Sequence, residues 1–196
     1  EVYSGFLKEM IALWRKKFAY SKKNFPFVAV QLPNWCDAVN EGASAINDGW
    51  ADMRMIECNI AREVENAACA VCLDAGEWND LHPEKKYTVG TRAAKEALRI
   101  AYGKNYNPAP AFHSFEKTGK SWVVKFNCFD SELKAFAVKG KTANLCKKGK
   151  AIFGFTVLFE KDGKVDFVET KAKLKSNNSV EVSIPKVEGK ILELRY

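Results

Sequence analysis

Histidine is scarce in these 196 residues: there are two, His82 and His113, so any imidazole chemistry must run through one or the other. Long apolar runs are missing as well. No stretch approaches the roughly 18 residues a helix needs to cross a bilayer, and the opening Glu1-Val2-Tyr3-Ser4 has neither the basic segment nor the small-residue cleavage site of an export signal. No membrane association is expected, and no compartment is assigned. The missing initiator methionine fits a chain that is part of something longer. Metal-ligand spacing is absent too. The six cysteines (Cys36, Cys58, Cys69, Cys72, Cys128, Cys146) fall at irregular intervals, and Cys69-Ala70-Val71-Cys72 lies in an apolar run that reads as a strand. Residues three apart on a strand face opposite ways, so this pair suits neither a zinc knuckle nor a redox dithiol opening a helix, and buried reduced thiols are the expectation. Arginine is rare where the charge lies. Residues 1–105 balance 14 basic against 14 acidic side chains, while 106–196 carry 17 against 10, and sixteen of those seventeen are lysines at scattered strand positions. Nucleic-acid surfaces favour clustered arginine, so a solvated strand face is expected and no nucleic-acid partner.

What is present is enough for a core: 47% hydrophobic and 12% aromatic residues suit one large domain or two small ones. Leu7, Ile11, Trp14 and Phe18 recur at helical spacing with lysines opposite, predicting an amphipathic helix. After a break at Ser21-Lys22-Lys23-Asn24, residues 25–33 form a continuous apolar run typical of a parallel strand covered on both faces. A second helix is predicted over 45–65, with Trp50, Met53, Ile60 and Val64 on one stripe, and a second buried strand over 67–73. A third helix is expected to start near Pro83 and stop at Gly103. This alternation is the rhythm of an α/β parallel sheet over 1–105. Two strands leave such a sheet with unpaired edges, so further strands are expected from preceding residues. Beyond a proline-rich linker the texture becomes all-β over 106–196. Strands are predicted at 122–126, 152–159, 165–168, 180–184 and 191–194, with turns at Thr118-Gly119, Asp162-Gly163 and Ser176-Asn177-Asn178, most simply as a sandwich-like region.

The two histidines differ in setting. His82 lies in Asp74-Ala75-Gly76-Glu77-Trp78-Asn79-Asp80-Leu81-His82-Pro83, after the carboxyl end of a predicted buried strand, where active sites of open α/β sheets assemble. With Asp80 two residues earlier it meets the needs of a general base held by an acid. An Asp and a His near a helix start read equally well as capping residues. His113, in Phe112-His113-Ser114, reads as a surface or interdomain residue. Phe126, Phe129, Phe153, Phe155 and Phe159 alternate as core residues do, with a sugar-binding platform among them as the rival reading.

The stretch 74–103, with its Asp-Leu-His-Pro core, Lys86, Val89-Gly90, Arg92-Ala93 and Ala101-Tyr102-Gly103, resembles the C-terminal active-site block of sialate O-acetylesterases within the SGNH hydrolases. The likeness extends through Phe25-Pro26-Phe27 and Gln31-Leu32-Pro33-Asn34, Ile11 with Trp14-Arg15, Trp50 with Arg54, and downstream Gly154-Phe155, Ala172-Lys173 and Leu194-Arg195-Tyr196. It implies that 1–105 is the C-terminal part of a flavodoxin-like SGNH α/β domain and 106–196 the family's C-terminal β region. It also implies that His82 is the catalytic base and Asp80 its acid. Asp74 is the fallback acid, with a turn-forming role as its alternative, accepting N–H groups from residues 75–78. The superfamily's usual acid position, three before the histidine, holds Asn79 here. None of Ser4, Ser21, Ser44 or Ser114 has the context of the family's nucleophile, so the serine is expected outside this chain. Glu57 stands where the family carries glutamine, either as an exposed or ion-paired helix residue or as a buried carboxylate near the site with a raised pKa.

The implied activity is hydrolysis of acetyl esters on sugars by a Ser-His-Asp mechanism, with no cofactor or metal. The implied partners are an O-acetylated sugar of sialic acid or xylan type and the preceding part of the same protein. The fragment alone is expected to be inactive. The rival is a non-catalytic carbohydrate-binding or accessory β module.

Overall fold

The computed structural model describes residues 2–18, 25–35, 49–77, 80, 82–139, 142–146 and 149–196. The predicted break at 21–24, the helix start at Ala45, and Cys36, Ser44, Asn79 and Leu81 lie outside the described residues. The chain divides into two compact units, the second starting at Asn107.

In the first unit the order is α1 (Val2–Lys17), β1 (Phe27–Val30), α2 (Trp50–Glu63), β2 (Ala67–Ala70) and α3 (Lys86–Tyr102). β1 and β2 pair in parallel, Phe27 opposite Ala67 and Val30 opposite Ala70. Every residue of β2 is buried, because helices cover both of its faces. Ala67 packs with Ile11 of α1 and Ile60 of α2, while Ala70, three residues on and so facing the other way, packs toward Val89 and Ala93 of α3. Small side chains at 67, 68 and 70 let the helices approach closely.

Both strands are shorter than the apolar runs that announced them. β1 ends at Val30 and β2 at Ala70; beyond them the Leu32 N–H turns to the Glu57 carboxylate and the Cys72 and Leu73 N–H groups to the Gln31 side chain. Of α1's predicted stripe Ile11 is buried, whereas Trp14 and Phe18 remain 42% and 51% exposed. α3 starts at Lys86 and not at Pro83: the Glu84 N–H bonds the Glu77 carboxylate at 3.2 Å, and the Glu84 carbonyl accepts the Lys86 N–H at 2.7 Å in a turn outside the helical pattern. It stops at Gly103, whose φ of 62° is the left-handed conformation glycine adopts freely.

The second unit carries β3 (Ala111–Thr118), β4 (Ser121–Asn127), β5 (Phe136–Lys139), β6 (Thr142–Leu145), β7 (Ala151–Lys161), β8 (Lys164–Ser176), β9 (Ser179–Ser183) and β10 (Lys190–Arg195). Six of these form one antiparallel sheet in the order β10-β7-β8-β9-β4-β3, and β5 and β6 pair as a separate hairpin. The expected sandwich of two facing sheets is therefore corrected. A single curled sheet closes over one core of Trp122, Val124, Phe155, Val157, Ala172, Val180 and Val182, drawn from four of its strands. Val157 and Val182 are fully inaccessible, which a flat sheet with one wet face would not achieve. The predominant sheet of the molecule is thus antiparallel, and the parallel pairing among the described residues is that of β1 with β2.

Candidate active site

Because β1 and β2 are parallel, their carboxyl ends reach one edge, and the loops that leave them run side by side. Backbone bonds continue past the strands, from Gln31 N to Ala70 O at 3.0 Å and from Asn34 N to Leu73 O at 3.0 Å. Two side chains of the first loop then hold the second. The Gln31 Oε1 accepts the N–H groups of Cys72 (3.1 Å) and Leu73 (3.2 Å), and its Nε2 donates to Cys58 Sγ at 3.0 Å. Asn34 Oδ1 accepts the Gly76 N–H at 2.9 Å. Gln31 is buried, and a buried amide is tolerated only when its donors and acceptor are used in this way. The Trp50 indole N–H donates to Pro33 O at 2.7 Å, and its ring packs on Trp35 with centroids 5.2 Å apart.

Glu57 belongs to this edge. Its Oε2 accepts the Leu32 N–H at 2.8 Å. Burial pushes its pKa above the ordinary carboxylate value, against the opposing pull of the Leu32 N–H and the Arg54 charge. Glu57 thus shares features of both readings, half-buried beneath the β1 loop and under the pull of the Arg54 charge.

Asp74 is engaged by α3. It forms a two-pronged pair with Arg92 of α3, Nη2 to Oδ2 at 2.9 Å and Nη1 to Oδ1 at 2.5 Å, while Arg92 Nη1 also donates to Val71 O at 2.8 Å. Asp74 lies in the turn closed by Ala75 N to Cys72 O at 2.9 Å, and its carboxylate ties the β2 loop to α3; Trp78, among its expected partners, lies outside the described residues. The Arg92 guanidinium holds the Asp74 carboxyl below its ordinary value of 3.8. A depressed carboxylate contributes stability above its unfolded pKa and loses it as pH falls through the folded one. The pair is about half exposed, so solvent screening limits its worth. Arg92→Met is expected to cost about 1 kcal/mol at pH 7, and in urea titrations run well below pH 3.8 the difference from wild type should shrink to the share owed to the Val71 O bond, which does not titrate.

Past Gly76 the chain carries Asp80 and His82. Asp80 Oδ1 accepts the His82 backbone N–H at 2.7 Å and lies 3.6 Å from His82 Nδ1. The carboxylate thus faces the ring edge at a distance just beyond a formed hydrogen bond. The imidazole is 83% exposed. The Asp80 bond to the His82 N–H is a local Asx turn that precedes α3, whose N-cap position is Lys85. His113 lies on β3, exposed, with Nδ1 3.0 Å from Ser114 Oγ.

The predicted phenylalanine pattern is split. Phe155 is 4% exposed and Phe126 packs against the core, but Phe153 is 78% and Phe129 37% exposed. Among the described residues no cluster of three or more His, Cys, Asp or Glu could hold a metal ion, and no helix is long and apolar enough to cross a membrane. Gln31, Asn34 and Arg92 escaped assignment as site-building residues. The legible signal was the pair of polar amides, Gln31 within and Asn34 after the first apolar run, since such residues at a strand's carboxyl end must find partners.

The class of protein that the fold resembles follows from comparison. No family model and no curated protein sequence matches the chain. Among solved structures it resembles a carbohydrate esterase. That protein is XAC1771, a carbohydrate acetylesterase from Xanthomonas citri, matched with a TM-score of 0.70 and 25% sequence identity over 99% of this chain. The chain spans 40% of the length of that structure's chain.

Proposed function

We propose that this chain is the histidine-bearing part of a carbohydrate O-acetylesterase of the sialate O-acetylesterase type. The observation that carries the reading is the placement of the Asp80–His82 pair beyond the carboxyl end of β2, in a chain whose whole length follows the fold of a carbohydrate acetylesterase. In the intact enzyme a serine from another part of the protein attacks the acetyl carbonyl. His82 takes its proton and delivers it to the departing sugar hydroxyl, while Asp80 stabilises the imidazolium. Residues 1–105 then form the C-terminal part of an SGNH-type α/β domain whose remaining strands pair beside β1, and 106–196 form its β domain. The exposed Asp80–His82 edge is suited to such completion, because a general base must stay within reach of the hydroxyl it deprotonates.

The accessory-module reading draws on Phe115 and Phe153, 63% and 78% exposed. They lie on β3 and β7, between which three strands intervene in the sheet order. That spacing does not favour a shared sugar platform, so the esterase reading is preferred.

The isolated chain is expected to hydrolyse p-nitrophenyl acetate no faster than buffer, and the full-length protein to release acetate from O-acetylated sialic acid or xylan. Activity of the isolated chain that disappears on mutating one of its own serines would place the nucleophile here and overturn the division of the site.

A further inference from the structure

Two thiols meet in the interior of the first unit, one on a helix and one on the strand beneath it. Cys58 of α2 and Cys69 of β2 have their sulfurs 3.7 Å apart. The contact is tertiary, between elements packed on one another, and Gln31 Nε2 donates to Cys58 Sγ at 3.0 Å from the β1 side. Cys69 is buried and Cys58 half-buried. Cys72 lies beyond the end of β2, and its backbone N–H donates to Gln31 Oε1 at 3.1 Å.

We propose that Cys58 and Cys69 form an oxidative modification site, converting to a disulfide that links α2 to β2 when the protein meets a peroxide. The sulfurs need to close from 3.7 Å to the ~2.05 Å of a disulfide, a shift within reach of side-chain rotation. The chemistry balances with one hydrogen peroxide. The Cys58 thiolate attacks a peroxide oxygen, forming an S–O bond as the O–O bond breaks and hydroxide leaves, so that Cys58 becomes a sulfenic acid. The Cys69 sulfur then attacks Cys58 Sγ. The S–S bond forms, the S–O bond breaks, and the Cys69 proton departs with the hydroxide as water. Two thiols and one peroxide yield one disulfide and two waters, and a dithiol reductant reverses the change.

The roles of the two sulfurs follow from their surroundings. The Cys69 hydrogen bond, foremost, together with the Gln31 amide and the Arg54 charge, pulls the Cys58 pKa below the ordinary thiol value against burial and Glu57. Cys69, which shares its proton with Cys58 and is buried, is pushed far up. Cys58 is therefore the sulfur that meets the oxidant, and Cys69 the one that resolves it. Neither residue belongs to the Asp80–His82 pair, so the proposal stands independently of the esterase reading.

The test is peptide mapping of the purified protein after brief hydrogen peroxide treatment and alkylation. Trypsin separates Cys58, in 55–62, from Cys69 and Cys72, both in 63–85. The expected product joins the two peptides, lighter than their sum by two hydrogen atoms, with fragmentation placing the bond on Cys69 and dithiothreitol removing it. Formation should be at least ~10-fold faster in folded protein than in urea, because the fold pre-positions the sulfurs. Cys72→Ala should leave the link intact. Cys69→Ala should abolish it and leave a Cys58 sulfenic acid that dimedone traps. A link from Cys58 to Cys72, equal rates in folded and unfolded chains, or oxidation of Cys58 to the sulfinic acid in wild type without cross-linking would each overturn the proposal. The wild-type map decides this even if Cys69→Ala fails to fold.

Discussion

His82→Ala in the full-length protein is expected to lower kcat by roughly 10⁴-fold, the scale on which loss of a triad member acts, while thermal stability stays within about 0.5 kcal/mol of wild type. The second half of that expectation comes from the structure. The His82 ring is 83% exposed, and the bond that orders this turn runs from the His82 backbone N–H to Asp80, which alanine retains. Removing the ring therefore deletes a proton carrier without opening a cavity. Michaelis parameters on an acetylated sugar, measured beside a melting curve, separate the outcomes. A large loss in kcat with an unshifted melt assigns His82 to catalysis. A lowered melt with retained specific activity of the folded fraction assigns it to capping, and the nucleophile's base must then be sought elsewhere.

The helices and core strands of the first unit were legible because their signals are local. A 3.6-residue stripe ending at Gly103 and two apolar runs need no tertiary context. The second unit was legible where strands bury one face, as β4 and β9 do with Trp122, Val124, Val180 and Val182. β3 escaped notice because a bulge breaks its alternation. The register shifts between Phe112 and Ser114, so Phe112 and Phe115, three residues apart, pair with Phe126 and Val124 on one face of β4, and on this edge strand they are 48% and 63% exposed. The sandwich expectation failed for a related reason. Strand periodicity reports which side of a strand is buried, whereas whether a second sheet or the curl of the same sheet does the burying is a property of the whole unit.

The candidate site divides along the same line. Asp80 and His82 stand two residues apart, so their contact is local, and the family resemblance, not the spacing, singled them out. The contacts that shape the strand edge span 25 residues from Leu32 to Glu57, 41 from Gln31 to Cys72 and 42 from Asn34 to Gly76. No periodicity encodes such pairings. Asp74 illustrates the cost: read locally it is a turn residue, yet its partner is Arg92, 18 positions downstream on the next helix.

Gly76→Ala is expected to destabilise the protein by about 3 kcal/mol, the upper end of overpacking costs, and to lower its melting temperature by roughly 6–12 °C for a chain of this size. A Cβ built on Gly76 would meet the carbonyl oxygen of Asn34 at 2.1 Å and Pro33 Cβ at 2.8 Å. The first obstacle is backbone, which cannot rotate aside as a long side chain could. The same glycine donates its N–H to Asn34 Oδ1 at 2.9 Å, so any retreat of the 74–77 loop also breaks the bond that holds it to the β1 loop. The penalty is one of close approach and not of backbone conformation, which makes it specific to this position. Gly90 provides the control, because it sits within α3 with nothing within 4 Å of its added Cβ, and there alanine should stabilise by about 0.5–1 kcal/mol through helix propensity. Thermal melts of the two variants should therefore move in opposite directions. If Gly76→Ala melts with wild type, the β1 and β2 loops are not in contact as described, and the strand edge that leads to Asp80 and His82 is built differently.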